Sequence, residues 1–167
     1  MSADDAGFSA ALEEARQGSR EGGVPIGAAL VSAQGEILGR GHNMRIQNSS
    51  ATLHVRKHRH QVGHVSPEKA EISALENAGR LPASAYHGAT MYTTLSPCDM
   101  CTGACVMYKV KRVVIGENKT FVGGEEYLKS RGIEVVVLQD DECQKLMAKF
   151  IKEKPGDWYE DIGENDG

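Results

Sequence analysis

The sequence has few of the features that mark secreted or membrane-spanning proteins. Only four of its 167 residues are cysteines, which is too few for a disulfide framework and fits a reducing compartment. It contains no apolar run of about eighteen residues, the length of a membrane-spanning helix, and it opens with no basic, hydrophobic leader. We therefore expect no membrane span and no secretion. A cytoplasmic location is predicted, with the nucleus as an alternative second location.

Size and charge favour a single domain that acts on a small neutral molecule. Apolar residues make up 40% of the sequence, so residues 1–167 are predicted to form one domain with a core large enough to shelter a buried site. The net charge is −4, but residues 55–69 carry four basic side chains against one acidic side chain, which leaves 15 basic and 22 acidic residues elsewhere. This excess of negative charge disfavours binding to tRNA or DNA, whose phosphates are contacted by lysine and arginine.

The hydrophobic pattern predicts strands that alternate with helices. Helices are predicted at about 5–18, 71–79, 99–108, 124–130 and 140–152, and strands at 26–32, 36–40, 90–95, 112–116 and 134–138. The first two strands flank a Gln34-Gly35 turn and should form an antiparallel hairpin, whereas strands joined through helices should pair in parallel. The predicted fold class is α/β, a three-layer α/β/α arrangement around a central mixed five-stranded sheet.

The stretch Ser96-Pro97-Cys98-Asp99-Met100-Cys101 lies between a predicted strand and a predicted helix. Pro97 suits the first turn of a helix, where its missing N–H is not needed. The positive end of the helix lowers the pKa of both thiols, so that Cys98 and Cys101 can bind a metal as thiolates. A redox dithiol and one half of a structural zinc site are the alternatives. Since Cys105 and Cys143 lie too far apart in sequence to form a second pair, a catalytic zinc ion is favoured, and these two cysteines are predicted to belong to the core.

Two further residues complete a zinc-hydrolase pattern. A catalytic zinc ion needs three protein ligands and one open position for water. His54 is predicted as the third ligand, with one zinc ion for each chain, and Glu71 as the group that carries protons. The alternative for Glu71 is an exposed glutamate on a helix surface.

Taken together, the motifs resemble those of the fungal-type cytosine deaminases in the zinc-dependent cytidine deaminase superfamily. The zinc motifs specify only the superfamily, whereas the C-terminal Asp-Trp-Tyr-Glu-Asp-Ile-Gly-Glu points to free cytosine. The matching segments extend over nearly the whole chain: residues 21–27, 38–45, 50–54, 71–73, 92–104, 114–118 and 157–164.

This resemblance implies a cytidine-deaminase-like fold, zinc-dependent hydrolysis of free cytosine to uracil and ammonia in pyrimidine salvage, and a homodimer. Asn43 would bind the carbonyl or the ring N–H of the pyrimidine, and Asp161 would accept from its exocyclic amine with help from the Ser96 carbonyl. Phe121 and Trp158 would cover the ring. Ala70, where the family has glycine, completes the implied substrate-binding set. Without the resemblance, the alternatives are a turn residue for Asn43, core for the two aromatic residues and a solvated tail for Asp161.

Residues 55–69 have no counterpart in the family pattern, in which the histidine and the glutamate lie two apart. Removing them restores Leu53-His54-Ala70-Glu71-Ile72. Because codons for Val-Arg can begin GTAAG and a lysine codon can end in AG, we hypothesise a retained in-frame intron or an error in the gene model. Sequencing of the transcript tests this hypothesis, and a main message that contains the segment refutes it.

If the segment is translated, three outcomes compete. The insert loops out and His54 remains the zinc ligand, or His58, His60 or His64 replaces it, or the site is broken. Ser66 and Pro67 form a favourable helix start, which would place Lys69 where the histidine should be, with its charge opposing the metal. We favour the looped-out insert with reduced activity. A deaminase of guanine, cytidine or tRNA adenosine and a catalytically impaired zinc-binding homologue are the alternative functions.

Overall fold

A mixed five-stranded sheet organises the protein. The structure is a computed structural model in which residues 3–49 and 69–165 are described. The strand order is β2-β1-β3-β4-β5, with β1 antiparallel to both β2 and β3, and with β3, β4 and β5 parallel. The predicted hairpin, the later parallel pairs and the fold class are thereby confirmed. The strands are β1 (Gly27–Val31), β2 (Ile37–His42), β3 (Thr90–Leu95), β4 (Arg112–Glu117) and β5 (Glu134–Val137).

Eight helices are found in the described part of the chain. They are α1 (Ala3–Arg20), α2 (Arg45–Asn48), α3 (Ala70–Ala78), α4 (Ala83–His87), α5 (Asp99–Tyr108), α6 (Glu125–Ser130), α7 (Asp141–Glu153) and α8 (Pro155–Asp161). The five predicted helices are all present. The sequence pattern missed α2, α4 and α8, because helices of four to seven residues are too short to show a hydrophobic period. No helix among the described residues has the length and apolar character to cross a membrane.

The two faces of the sheet pack against different helices. On one face, Ala11 of α1 packs with Ala29, Tyr92 and Val114. On the other face, Leu30 and Met91 belong to a larger cluster that includes residues of α3 and α5. Alternate residues of each strand point to opposite faces, which is why both layers of helices are needed to bury the sheet.

Helix α3, which carries Glu71, lies unusually close to strand β2. A Cβ atom at Gly39 would overlap the backbone oxygen of Ala74, and one at Gly41 would overlap the side chain of Ser73. Glycine at these two strand positions therefore lets the helix backbone approach the sheet.

The start of α3 agrees with the helix predicted at about residues 71–79. The helix begins at Ala70, and Lys69 is its N-cap residue with extended backbone angles (φ −91°, ψ 143°). The predicted helix start at Ser66 and Pro67 lies outside the described residues. The extended backbone of Lys69 ends the helix on its N-terminal side, and its side chain is held by contacts described below.

Candidate active site

Residues from distant parts of the sequence line one cavity of about 30 Å³. A cavity of this size holds roughly two water molecules at ~15 Å³ each. All the predicted site residues that lie in the described part of the chain contribute to it: Asn43, Ala70, Glu71, Ser96, Cys98, Cys101, Phe121, Trp158 and Asp161. The cavity is also lined by Lys69. His54 and the alternative ligands His58, His60 and His64 lie outside the described residues.

Cys98 and Cys101 lie at the N-terminus of α5, where Cys98 is the N-cap residue. Cys98 is partly exposed and Cys101 is buried. A hydrogen bond from the Cys101 thiol, which favours the Cys98 thiolate, lowers the pKa of Cys98 to about 7. The same hydrogen bond, together with burial, raises the pKa of Cys101, so the expectation that the pKa of both thiols is lowered was wrong for Cys101. The pair therefore provides one sulfur that ionises near neutral pH and a second sulfur beside it. Cys105 and Cys143 are buried in the core, as predicted.

Glu71 lies in the first turn of α3, and only 4% of its surface is exposed. Burial raises its pKa, while hydrogen bonds from Cys101 and from Thr93 act in the opposite direction. Thr93 is fully buried in β3, and its hydroxyl lies 3.0 Å from Oε1 of Glu71 and 3.1 Å from the Leu95 carbonyl oxygen. The hydroxyl can donate to an ionised Glu71, or accept from a protonated Glu71 while donating to Leu95. Both protonation states of Glu71 thus have a partner.

Asn43 and Asp161 form a second polar group in the cavity, although 118 residues separate them in sequence. The Asn43 amide nitrogen donates to Oδ1 of Asp161 at 3.3 Å, and its oxygen accepts from the Arg45 backbone N–H at 3.0 Å. Asn43 is fully buried, and the Asp161 side chain is 3% exposed. Asn43 is therefore both a turn residue and a cavity residue, and Asp161 does not belong to a solvated tail.

Phe121 and Trp158 form aromatic walls of the cavity at right angles to each other. Their ring centroids are 6.3 Å apart and their planes make an angle of 86°. A flat ligand that stacks on one of them must meet the other with its edge. In this arrangement only one of the two rings can stack on a base, and the expectation that both residues cover it stays a prediction.

The loop that carries Phe121 is anchored by polar contacts at both of its ends. Oε2 of Glu117 accepts from the backbone N–H groups of Lys119 (2.7 Å) and Thr120 (2.9 Å). At the other end, the Ser96 hydroxyl donates to Glu125 (2.8 Å) and accepts from the Gly123 N–H (2.9 Å). Ser96 thus holds this loop through its hydroxyl, a role that the sequence did not predict.

Lys69 occupies a position that the sequence analysis interpreted differently. It directly precedes Ala70, where the family pattern has the histidine, but its ammonium does not remain unpaired beside the cysteines. Its Nζ donates to Oδ1 of Asp161 at 2.8 Å and to the Asp161 backbone oxygen at 2.8 Å. The Asp161 carboxylate therefore compensates part of this charge, and the expectation that Lys69 opposes a metal stays a prediction.

The donor set in the described residues fits zinc. Thiolate sulfur is a preferred zinc ligand, and two cysteines three residues apart at a helix start are a common zinc-binding spacing. Within residues 3–49 and 69–165, no three His, Cys, Asp or Glu side chains form a group that could hold a metal ion.

This fold, with two cysteines at a helix start beside a buried glutamate, defines a zinc-binding deaminase domain. The chain belongs to the family described as the cytidine and deoxycytidylate deaminase zinc-binding region, whose model matches residues 1–117. The chain is 53% identical to the cytosine deaminase of Candida albicans over 161 residues. This alignment covers 96% of this chain and 97% of the relative. The predicted resemblance to fungal-type cytosine deaminases is thereby confirmed.

More distant relatives act on RNA. A tRNA-specific adenosine deaminase of Bacillus subtilis is 31% identical over 163 residues, which are 92% of this chain and 91% of the relative. A solved structure from studies of A-to-I editing by tRNA:A34 deaminases superimposes with a TM-score of 0.62 at 25% identity, covering 85% of this chain and 99% of that one. The fold is thus shared between enzymes with free and polymeric substrates.

Proposed function

We propose that this protein hydrolyses free cytosine to uracil and ammonia in pyrimidine salvage. The observation that carries the proposal is the single cavity lined by Glu71, the cysteine pair and the Asn43–Asp161 pair. The 53% identity to the Candida albicans cytosine deaminase, over nearly the full length of both chains, supports the choice of substrate.

Cys98, Cys101 and His54 would hold one zinc ion for each chain. When bound, zinc supplies Lewis acidity, which makes a water molecule a nucleophile near neutral pH. The pKa of about 7 for Cys98 supports this assignment, since metal binding requires the thiolate.

Glu71 would carry the protons of the reaction. Its carboxylate takes a proton from the attacking water, whose oxygen forms a bond to the amino-bearing carbon, and passes this proton to the adjacent ring nitrogen. It takes the second proton of that oxygen and delivers it to the amino group, and the carbon–nitrogen bond then breaks to release ammonia. The pKa of Glu71 is raised by burial, as a group that both accepts and releases protons requires. Thr93 supports both of its protonation states.

The other cavity residues would hold and orient the base. Asn43 offers both a donor and an acceptor to the pyrimidine, and Asp161 accepts from the exocyclic amine together with the Ser96 carbonyl. Of the two perpendicular rings of Phe121 and Trp158, one would stack on the base and the other would contact its edge. Ala70 completes the set.

Product analysis on a panel of substrates tests this proposal. We expect the zinc-loaded full chain to release ammonia and uracil from cytosine, and to act far more slowly on cytidine, guanine and tRNA adenosine. The Glu71→Gln variant, which keeps the size of the side chain, should bind zinc without turnover. If the tRNA substrate is deaminated faster than cytosine, the proposal of cytosine as the substrate is wrong and tRNA adenosine takes its place. If the protein binds zinc but releases ammonia from none of the substrates, it is a catalytically impaired zinc-binding homologue.

We also propose a single domain over residues 1–167, a cytoplasmic location and a homodimer. One sheet carries all the described elements, and four free cysteines fit a reducing compartment. Met100 and Met107 lie on one face of α5 and are 46% and 66% exposed, which favours an apolar contact between subunits. Light scattering should give the mass of a dimer for the wild type and a lower mass for Met107→Glu.

A further inference from the structure

We propose that Lys69 competes with the substrate amine for Asp161 and thereby weakens substrate binding. This inference rests on the proposed function, because it takes Asp161 as the acceptor for the exocyclic amine. Lys69 would then have to leave Oδ1 of Asp161 before the amine of cytosine can bind to this oxygen.

The contacts of Lys69 fix its ammonium in the substrate cavity. Two of its three N–H donors are used by Asp161, one by Oδ1 and one by the backbone oxygen, both at 2.8 Å. Asn43 also donates to this Oδ1, and Arg45 lies 4.0 Å from it. Since a carboxylate oxygen has two lone pairs, Oδ1 already has its full set of donors without a substrate amine.

Burial makes this ion pair more than a surface contact. The Lys69 side chain is 11% exposed and the Asp161 side chain 3%, whereas the Lys129–Glu126 pair at a similar distance is 50% and 88% exposed. Exposed pairs are screened by water and contribute little, but separating a buried pair leaves charges without compensation. The substrate must therefore displace a well-shielded partner.

The space in the cavity leads to the same conclusion. Lys69 lines the same cavity as Asn43 and Asp161, so its side chain occupies part of the space beside the proposed acceptor. Movement of the Lys69 side chain away from Asp161 would free both the acceptor and the space. Lys69 is also the last residue of the 55–69 segment, so this segment would weaken substrate binding through its final side chain.

Cytosine binding in the absence of turnover tests the competition. In a Glu71→Gln background of the full chain, calorimetry should give a Kd for cytosine at least tenfold lower when Lys69→Met is added. Lys69→Arg, which keeps a cation beside Asp161, should retain the weak binding. Lys129→Met is the matched control, because it removes the lysine of the exposed pair, and it should leave the Kd unchanged.

A second measurement needs no substrate. Acylation of lysines in the wild type, followed by mass spectrometry, should modify Lys69 at least tenfold more slowly than Lys129, and Asp161→Asn should accelerate the modification of Lys69. Equal rates for the two lysines would overturn the inference. If the Glu71→Gln protein binds cytosine with the same Kd with Lys69 and with Lys69→Met, the proposed competition is wrong but the proposed substrate stands. If neither protein binds cytosine, the competition and the proposed substrate are both wrong.

Discussion

The hydroxyl of Thr93 lies between Oε1 of Glu71, at 3.0 Å, and the carbonyl oxygen of Leu95, at 3.1 Å. Its single proton can be donated to either oxygen, and the hydroxyl can in turn accept a proton from Glu71. A buried carboxyl group that changes its protonation state during a reaction therefore keeps a hydrogen-bond partner throughout. This relationship connects the central strand β3 to the group that we expect to move protons.

Removal of the Thr93 hydroxyl should slow the reaction without unfolding the protein. We expect Thr93→Val, which has nearly the same shape, to lower kcat by about tenfold, since one hydrogen bond contributes roughly 0.5–1.5 kcal/mol and 1.4 kcal/mol is a factor of ten. Because this hydrogen bond lowers the pKa of Glu71, its loss should move the acidic limb of the pH–rate profile to higher pH. Thr93→Ser is the control and should behave like the wild type.

Burial of Glu71 should make the stability of the metal-free protein depend on pH. The pKa of Glu71 is raised above the value of 4.5 expected for the unfolded chain, so the folded state holds a proton that the unfolded state has released. The stabilisation is complete below pH 4.5 and is lost as the pH rises towards the folded pKa. Relative to Glu71→Gln, the wild type should lose up to about 1.4 kcal/mol for each pH unit in that window.

Urea unfolding of the chelated wild type and of Glu71→Gln across this pH range provides the measurement. The charge changes of groups far from Glu71 are common to both proteins and cancel in the difference. Unfolding free energies that run parallel for the two proteins would contradict the expectation.

The lowered pKa of Cys98 should be visible in its reactivity. In the metal-free protein we expect alkylation of Cys98 with a midpoint near pH 7, whereas Cys105, whose pKa is raised by burial, should stay unmodified. Cys101→Ala removes the hydrogen bond that lowers the Cys98 pKa and should move this midpoint to higher pH. Mass spectrometry of digested samples gives the rate for each cysteine, and added zinc should protect Cys98. A common rate for both thiols in the wild type would contradict the prediction.

The close approach of α3 to β2 should not tolerate a methyl group at Gly39. The added carbon would overlap the backbone of Ala74 and push away the helix that carries Glu71. We expect Gly39→Ala to reduce the free energy of unfolding by about 1–3 kcal/mol, in the range of overpacked sites, and to reduce activity as well. Thermal unfolding measures the first effect, and an unchanged midpoint would show that the helix can shift without cost.

The sequence predicted the parts of the structure that depend on local patterns. Strand β3 and helix α5 were predicted because an apolar run, a proline and two cysteines follow one another within a few residues. The role of Thr93 had only a weak local signal, which is the presence of a polar threonine in a strand whose residues are nearly all buried. The ion pair of Lys69 with Asp161 had none, because it joins residues 92 positions apart and depends on where α8 packs.

The anchoring of the Phe121 loop has a consequence for how this enzyme can diversify. Glu117 and Ser96 hold the loop through its main-chain amides, and Gly123 and Gly124 leave no room for a side chain, so the path of the loop does not depend on the Phe121 side chain. We expect that this aromatic wall can be exchanged by a single substitution without moving the cysteine pair. Such an exchange would alter which base the cavity favours while the groups for the chemistry stay in place.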